Sequence, residues 1–247
     1  MSGDLRIIPL RGIPELEEGD DLAALLADAA ERAGGLESGD IVVVAHKAVS
    51  KVEGRVVDLS DVEPSARARG LAGDEDPRRL EVVLRESREV LRFRPPLVIA
   101  ETHHGFVCAS AGVDASNAKG HDTFVLLPLD PDASAQRLRD RMRELASIDV
   151  AVIVSDSFGR AWRRGTTDVA LGVSGLTPLL DLEGQRDSAG YELHATEIAV
   201  ADEIAGAAEL VMGKTDGIPA AIVRGVEVAG NGRGADLLMP RERDLFR

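Results

Sequence analysis

Short apolar runs alternate along this chain with stretches whose apolar residues return every three or four positions, the two periods of buried strands and amphipathic helices. Leu5 to Pro9 reads as a short strand. Gly12 to Asp21 is a loop whose aspartates can cap the helix that follows, where Leu22, Leu25, Leu26, Ala29 and Ala30 keep helical spacing until Gly34-Gly35 stops it. Ile41 to Ala45 is the next strand, and the segment His46-Lys47-Ala48-Val49-Ser50-Lys51 leaves two lysines at or just beyond its end. Pro64-Ser65 and Asp76-Pro77 begin further helices, the second with Leu80, Val83, Leu84 and Val90 on one face.

Leu97 to Ala100, Phe106 to Ala109 and Phe124 to Leu127 read as strands, with a polar loop from Gly112 to Asn117 between them. Asp130-Pro131-Asp132 introduces a helix through Leu145 that leads into the apolar run Val150 to Val154. That run ends in Ser155-Asp156-Ser157 and then Gly159-Arg160-Ala161-Trp162-Arg163-Arg164-Gly165, an oxygen-rich corner followed by three guanidinium groups and the only Trp. Thr166 to Val173 is β-like, and Thr196 to Leu210 is amphipathic, with Ile198, Ala201, Ile204, Ala205 and Ala208 on one face. A loop from Met212 to Gly217 and a strand from Ala220 to Val223 follow. The expected fold class is mixed α/β, of the α+β kind, with no internal repeat and no composition break.

Composition narrows the function classes. No apolar run approaches the length of a membrane span and no basic-then-apolar leader opens the chain, so a soluble cytoplasmic protein with no membrane partner is expected. The 43 acidic against 29 basic residues give a net charge of −14, which argues against nucleic acid as a partner. The single cysteine, Cys108, excludes an internal disulfide and a Cys-rich zinc site, so any metal falls to oxygen ligands. Arginines number 25 and lysines 4, so each lysine is easy to inspect.

Asp114 and Asp156 each lie in a polar segment after an apolar strand, the setting in which a carboxylate bridges Mg²⁺ or Mn²⁺ to phosphate oxygens. A turn cap is the commoner role for either alone, and spacing leaves both readings open. Arg160, Arg163 and Arg164 are candidate anion-binding residues, against the usual fate of pairing with surface acids, and Trp162 reads as core or interface. Lys47 and Lys51 are candidate point charges for phosphate, against a solvated default. Neither a Gly-x-x-x-x-Gly-Lys-Ser/Thr loop nor a strand-linked dinucleotide fingerprint occurs. Cys108 sits inside an apolar strand, a poor setting for a nucleophile, and the five histidines lack metal-type spacing and read as structural or peripheral.

Several segments together resemble one family, the coenzyme F420:L-glutamate ligases. They are Gly12-Ile13-Pro14 with Glu18-Gly19-Asp20-Asp21-Leu22, Val49 to Arg55, His104 to Cys108, Ala111 to Asn117, Leu127 to Asp132, Val152 to Arg160, Ala201 to Ile204 and Met212-Gly213-Lys214. The blocks occur in order over nearly the whole chain. The resemblance implies a GTP-dependent ligase that adds L-glutamate to the coenzyme F420 precursor through an acyl phosphate, with extension of the tail by γ-glutamyl links left open. It implies Mg²⁺ or Mn²⁺, expected as two ions, with K⁺, and a two-lobed fold assembling as an intertwined homodimer. Residues 1–247 are expected to form one ligase domain with no C-terminal reductase-like domain.

By the same resemblance Asp114, Asp156 and Ser157 are expected as metal ligands, and Asp114, Asp156 and Lys51 as the catalytic group. The GTP site is expected from Ile13, Pro14, Glu15, Leu16, His46, Lys47, Lys51, Asn117 and the loop Leu210, Val211, Met212, Gly213, Lys214, Thr215 and Asp216. Ser157 stands where the family commonly has Thr, and His46-Lys47 where small hydroxyl or Gln-type residues often occur. Two other readings stay open: a non-catalytic nucleotide- and metal-binding homologue, and an amide ligase for a different carboxylate.

Overall fold

The computed structural model describes residues 4–115 and 122–246. In chain order its main elements are β1 (Arg6–Pro9), α1 (Leu22–Arg32), β2 (Ile41–Ala45), α2 (His46–Val52), β3 (Val56–Asp58), α3 (Ala66–Leu71), α4 (Pro77–Glu86), β4 (Ser87–Arg94), β5 (Leu97–Thr102), β6 (Val107–Ala109) and β7 (Thr123–Val125). They continue as α5 (Pro131–Ala146), β8 (Ala151–Arg160), β9 (Arg163–Ser174), β10 (Leu180–Asp181), β11 (Glu197–Ile198), α6 (Val200–Met212) and β12 (Ala220–Arg224). The architecture is mixed α/β, as the alternating periods predict.

The central sheet has the order β1-β12-β2-β8-β9, and β2 pairs with β8 in parallel while the other pairs are antiparallel. Its middle strands are apolar on both faces because helices cover both. Val42, Val44, Val152 and Val154 pack under α1 and α5 through Leu22, Leu26, Leu138 and Met142. Ile41, Val43 and Ile153 pack under α6 through Ala201, Ile204, Ala205 and Ala208. A smaller group of elements lies between β2 and α5 in sequence: the sheet β4-β5-β6 with α3 and α4, and the ladder β3-β7. It carries its own cores around Leu80, Val83 and Val98 and around Leu59, Val82 and Phe124.

Caps set the helix starts as the sequence suggests. Asp21, Ser65, Asp76 and Asp130 each accept a hydrogen bond from a backbone N–H in the first turn of α1, α3, α4 and α5. Four expectations need correction. Val90 does not share the face of Leu80 and Val83, because α4 ends at Glu86 and Val90 pairs with Ala100 in β4. The Ser87 hydroxyl donates to the Val83 carbonyl at 2.6 Å, closing the last turn, and the extended run that follows takes the sheet edge. The strand expected over Phe124 to Leu127 spans Thr123–Val125, whereas Lys47 and Lys51, just beyond the end of β2 as expected, lie on helix α2. The last long helix starts at Val200, since Glu197–Ile198 pairs with Leu180–Asp181.

The fourth correction concerns Ser155-Asp156-Ser157, which is the interior of β8 and not its end. The strand runs on to Arg160, turns at Ala161-Trp162 and returns as β9. Trp162 sits at that tip, 86% exposed with φ 56°, so it is not core; its ring lies 4.9 Å from that of Phe246. Tertiary pairing with β9 supplies what the polar triplet lacks in strand propensity.

Val154 faces Gly172 and Ser155 faces Ala170, so Leu171 is an extra residue and the hairpin carries a bulge just where its apolar part becomes polar. Gly172 there admits the start of α5: a Cβ on it would stand 2.1 Å from the Pro131 carbonyl oxygen. The Asp132 carboxylate beside it accepts from the Val173 and Gly234 N–H groups at 2.8 and 2.6 Å. Gly172→Ala should therefore cost ~1–3 kcal/mol by overpacking. That corresponds to a fall in thermal midpoint of roughly 3–10 °C by circular dichroism. Gly159→Ala, whose methyl would meet open space, should stay within about 2 °C of the parent.

Candidate functional site

The sheet register brings the site together. Ala45 at the end of β2 faces Ser155 in β8, so the chain entering α2 and the polar half of β8 emerge side by side at one edge of the sheet. Between them lies a cavity of about 310 Å³. His46, Lys47 and Lys51 of α2, Ser155, Asp156 and Ser157 of β8, and Asp168 of β9 line it. Ile13, Pro14, Glu15 and Leu16 close one side, and Glu209, Met212, Gly213, Lys214 and Gly217 to Pro219 close another.

Lys47 and Lys51 are one helical turn apart and so share a face of α2. The Lys47 ammonium donates to Asp114 Oδ2 at 2.7 Å, and Lys51 to Glu15 Oε1 at 2.5 Å. Asp114 thus meets the cavity through Lys47, held on its own strand-edge bridge to Val125. Asp156 Oδ1 accepts from the Ser157 N–H at 2.8 Å. Asp168 stands directly opposite Ser157, 5% exposed, and takes the Ser157 hydroxyl on Oδ1 at 2.6 Å and the Ser155 hydroxyl on Oδ2 at 3.0 Å.

His46 is 1% exposed, and its Nε2 lies 3.4 Å from Asp156 Oδ1. The two atoms are close but not aligned as a hydrogen bond, and neither ring nitrogen has a hydrogen-bond partner among the described residues. The other expected residues fall outside. Leu210 is 78% exposed and Val211 packs into the core beneath α6, so neither lines the cavity, nor do Thr215 and Asp216. Arg160, Arg163 and Arg164 are exposed on the β8–β9 hairpin away from the cavity, with Arg160 Nη2 donating to the Arg164 carbonyl at 3.4 Å. Asn117 lies outside the described residues.

Asp168, Ser155 and Glu209 were not singled out from the sequence. For Asp168 a signal existed: a carboxylate in the strand-like run Thr166 to Val173 has to be buried or paired.

Among the described residues no three His, Cys, Asp or Glu converge as a closed metal cage. The donor set nevertheless fits a hard divalent ion of the open kind, held by one or two carboxylates with substrate phosphates completing its shell. Asp156 and Ser157 both line the cavity, and Asp114 is linked to it through Lys47. The paired lysines give phosphate two ammonium groups whose present partners can be exchanged.

Comparison with known proteins identifies the family. The sequence profile described as F420-0:Gamma-glutamyl ligase matches residues 12–225. The chain belongs to that family. It is similar to the protein named Coenzyme F420:L-glutamate ligase of Methanopyrus kandleri, 45% identical over 98% of each chain. Its namesake in Methanothermobacter thermautotrophicus is 42% identical over 98% of this chain and 99% of its own. That of Methanocaldococcus jannaschii is 45% identical over 86% of each.

Cys108 is no nucleophile for such a family member. Burial, followed by the negative charge of Asp156, pushes its thiol up to about 12. A thiol at that value is thiolate to only ~10⁻⁴ at pH 8. The folded protein should leave a disulfide-exchange reagent unreacted under conditions in which the urea-unfolded chain is labelled in full; rapid stoichiometric labelling of folded protein would show an exposed thiol instead.

Proposed function

We propose that this chain is a GTP-dependent ligase that joins L-glutamate to the carboxylate of the coenzyme F420 precursor. The observation that carries the reading is the convergence of Asp156, Ser157, Lys47 and Lys51 on one cavity in a chain that matches relatives of that name over nearly its full length. Two intertwined lobes, a homodimer and one ligase domain over residues 1–247 belong to the same proposal. An association of copies is supported by the exposed Trp162, Leu245 and Phe246, which water solvates poorly.

A carboxylate does not acylate an amine in neutral water, because its oxygen is a poor leaving group. The precursor carboxylate oxygen attacks the γ-phosphorus of GTP, the bond from that phosphorus to the β–γ bridging oxygen breaks, and GDP departs. The glutamate amine then attacks the acyl carbon of the acyl phosphate, the C–N bond forms, and inorganic phosphate leaves with the C–O pair. Further glutamates would be added by the same two displacements at a glutamyl carboxylate. Little of this demands covalent help from protein, so the residues work by placement and charge.

Lys47 and Lys51 exchange their carboxylate partners for phosphate oxygens, which offsets the repulsion between an anionic acceptor and a triphosphate. Asp156, Ser157 and Asp114 would hold Mg²⁺ or Mn²⁺, with K⁺ alongside. When bound, these cations supply screening of the phosphate charge and orientation for in-line transfer. Asp168 fixes the Ser157 hydroxyl by accepting its proton, which leaves the oxygen lone pairs turned away from the strand. Ile13 to Leu16 and Met212 to Lys214 form the walls against which the nucleotide would lie.

Pure protein with GTP, Mn²⁺, glutamate and the glutamate-free precursor should yield GDP and precursor carrying one or more glutamyl masses by mass spectrometry. Nucleotide binding without turnover would point to a sensor, and turnover only with another acceptor to a different amide ligase. Asp156→Asn should abolish turnover with unchanged far-ultraviolet circular dichroism; full activity in that folded variant would remove the residue from the site. Asp168→Asn, acting on Ser157 at one remove, should cost about 10–100-fold in turnover or metal affinity.

A further inference from the structure

We infer that His46 is itself a ligand to the divalent ion at Asp156, so that the site carries an imidazole nitrogen and prefers ions such as Mn²⁺ and Co²⁺ over Mg²⁺. The inference rests on the ligase reading above and goes beyond it, since it makes His46 a metal donor where the family resemblance places it in the nucleotide wall.

Three observations support it. His46 is 1% exposed yet lines the cavity, and neither of its ring nitrogens has a hydrogen-bond partner among the described residues. Buried polar nitrogens are nearly always satisfied, so an orphaned ring on a cavity wall is a group awaiting a ligand. Second, His46 Nε2 and Asp156 Oδ1 stand 3.4 Å apart without hydrogen-bond alignment. A protonated imidazole paired with a carboxylate closes to about 2.7–2.9 Å with its N–H on the oxygen. Two neighbouring ligands on an ion with bonds of about 2.1–2.4 Å stand about 3.0–3.4 Å apart. The observed separation falls at the upper end of that ligand-to-ligand range. Third, the adjoining charge is already placed: Lys47 is on Asp114, and the Asp156 oxygen that faces His46 also takes the Ser157 N–H. The negative charge that a divalent ion needs therefore stands beside the ring.

The chemical consequence is selectivity. Mg²⁺ takes oxygen and gives up water reluctantly, while the first-row ions bind imidazole nitrogen with rising affinity from Mn²⁺ to Co²⁺ and beyond. One nitrogen donor in an otherwise oxygen-lined cavity therefore shifts the preference away from Mg²⁺ without building a zinc cage.

The test uses whole protein grown with ¹⁵N-histidine and loaded with Mn²⁺, alone and with GDP, and reads pulsed electron paramagnetic resonance and calorimetric affinity. We expect a ¹⁵N coupling to Mn²⁺ in the parent and its loss in His46→Gln. The ratio of Mn²⁺ to Mg²⁺ affinity should fall about tenfold in the same variant. Should His46→Gln fail to fold, His46→Asn and the parent spectrum carry the test. Mn²⁺ binding that requires Asp156 but shows no histidine nitrogen overturns the inference and leaves the ligase reading standing. Coupling that persists in His46→Gln overturns it too, by assigning the nitrogen elsewhere. Mn²⁺ affinity unchanged in Asp156→Asn removes the metal from this cavity and sinks both.

Discussion

The parallel pairing of β2 with β8 is the constraint on which the rest of the molecule depends. Both strands are buried on both faces, so neither can turn a polar residue inward until it passes beyond the helices that cover it. Their shared direction makes them do so at the same edge, and the register of Ala45 with Ser155 sets His46 beside Asp156. A slip of one residue would exchange the two faces of β8, sending Val152 and Val154 to the side of Ile153 and turning Asp156 away from α2. Stability and site geometry are thus specified by one set of contacts. Antiparallel β12 and β1 extend the sheet on the other side of β2, and the segments adjoining them, Gly217 to Pro219 and Ile13 to Leu16, help close the cavity at that same edge.

How much could be read beforehand follows from how local each signal is. The caps at Asp21, Ser65, Asp76 and Asp130 and the apolar runs of β2, β8 and β12 are properties of a few neighbouring residues, and the sequence shows them. The family blocks likewise marked Ile13 to Leu16, Lys47, Lys51, Asp156 and Ser157, which the fold gathers around one cavity. What escaped is pairwise. That Ser155 to Ser157 remain strand depends on β9 lying opposite, and Asp168 joins the site only because it pairs across from Ser157. Val90 looked helical because its spacing from Leu80 and Val83 is sound; the Ser87 back-bond that ends α4 breaks that spacing. The family resemblance includes Leu210 with Met212, but the two stand two helical residues apart, a rotation of about 200° that sends Leu210 to solvent.

An acidic protein with a net charge of −14 would have to assemble the proposed anion site locally, and its cavity holds two lysines in carboxylate pairs. Lys47 and Lys51 are kept in place by Asp114 and Glu15, so their ammonium groups are oriented before any ligand arrives. The cost is a competition: a phosphate has to displace a carboxylate at each lysine. On the proposed function the Asp114 carboxylate would exchange the Lys47 ammonium for a metal cation, which would couple arrival of an anion to arrival of its counter-ion. Coupling of this kind needs no conformational change larger than two side-chain rotations.

The length of the β8–β9 hairpin has an electrical consequence. Arg160 lies four residue steps beyond Asp156, about 13 Å along β8. The screening length at physiological ionic strength is about 8 Å. Arg160, Arg163 and Arg164 are therefore insulated from the cavity by the electrolyte, and the two ends of one hairpin form separate potentials, a mixed basin at the sheet edge and a positive cap at the tip. Salt acts on them unequally: the exposed cap fades as ionic strength rises, while the half-enclosed basin keeps most of its field.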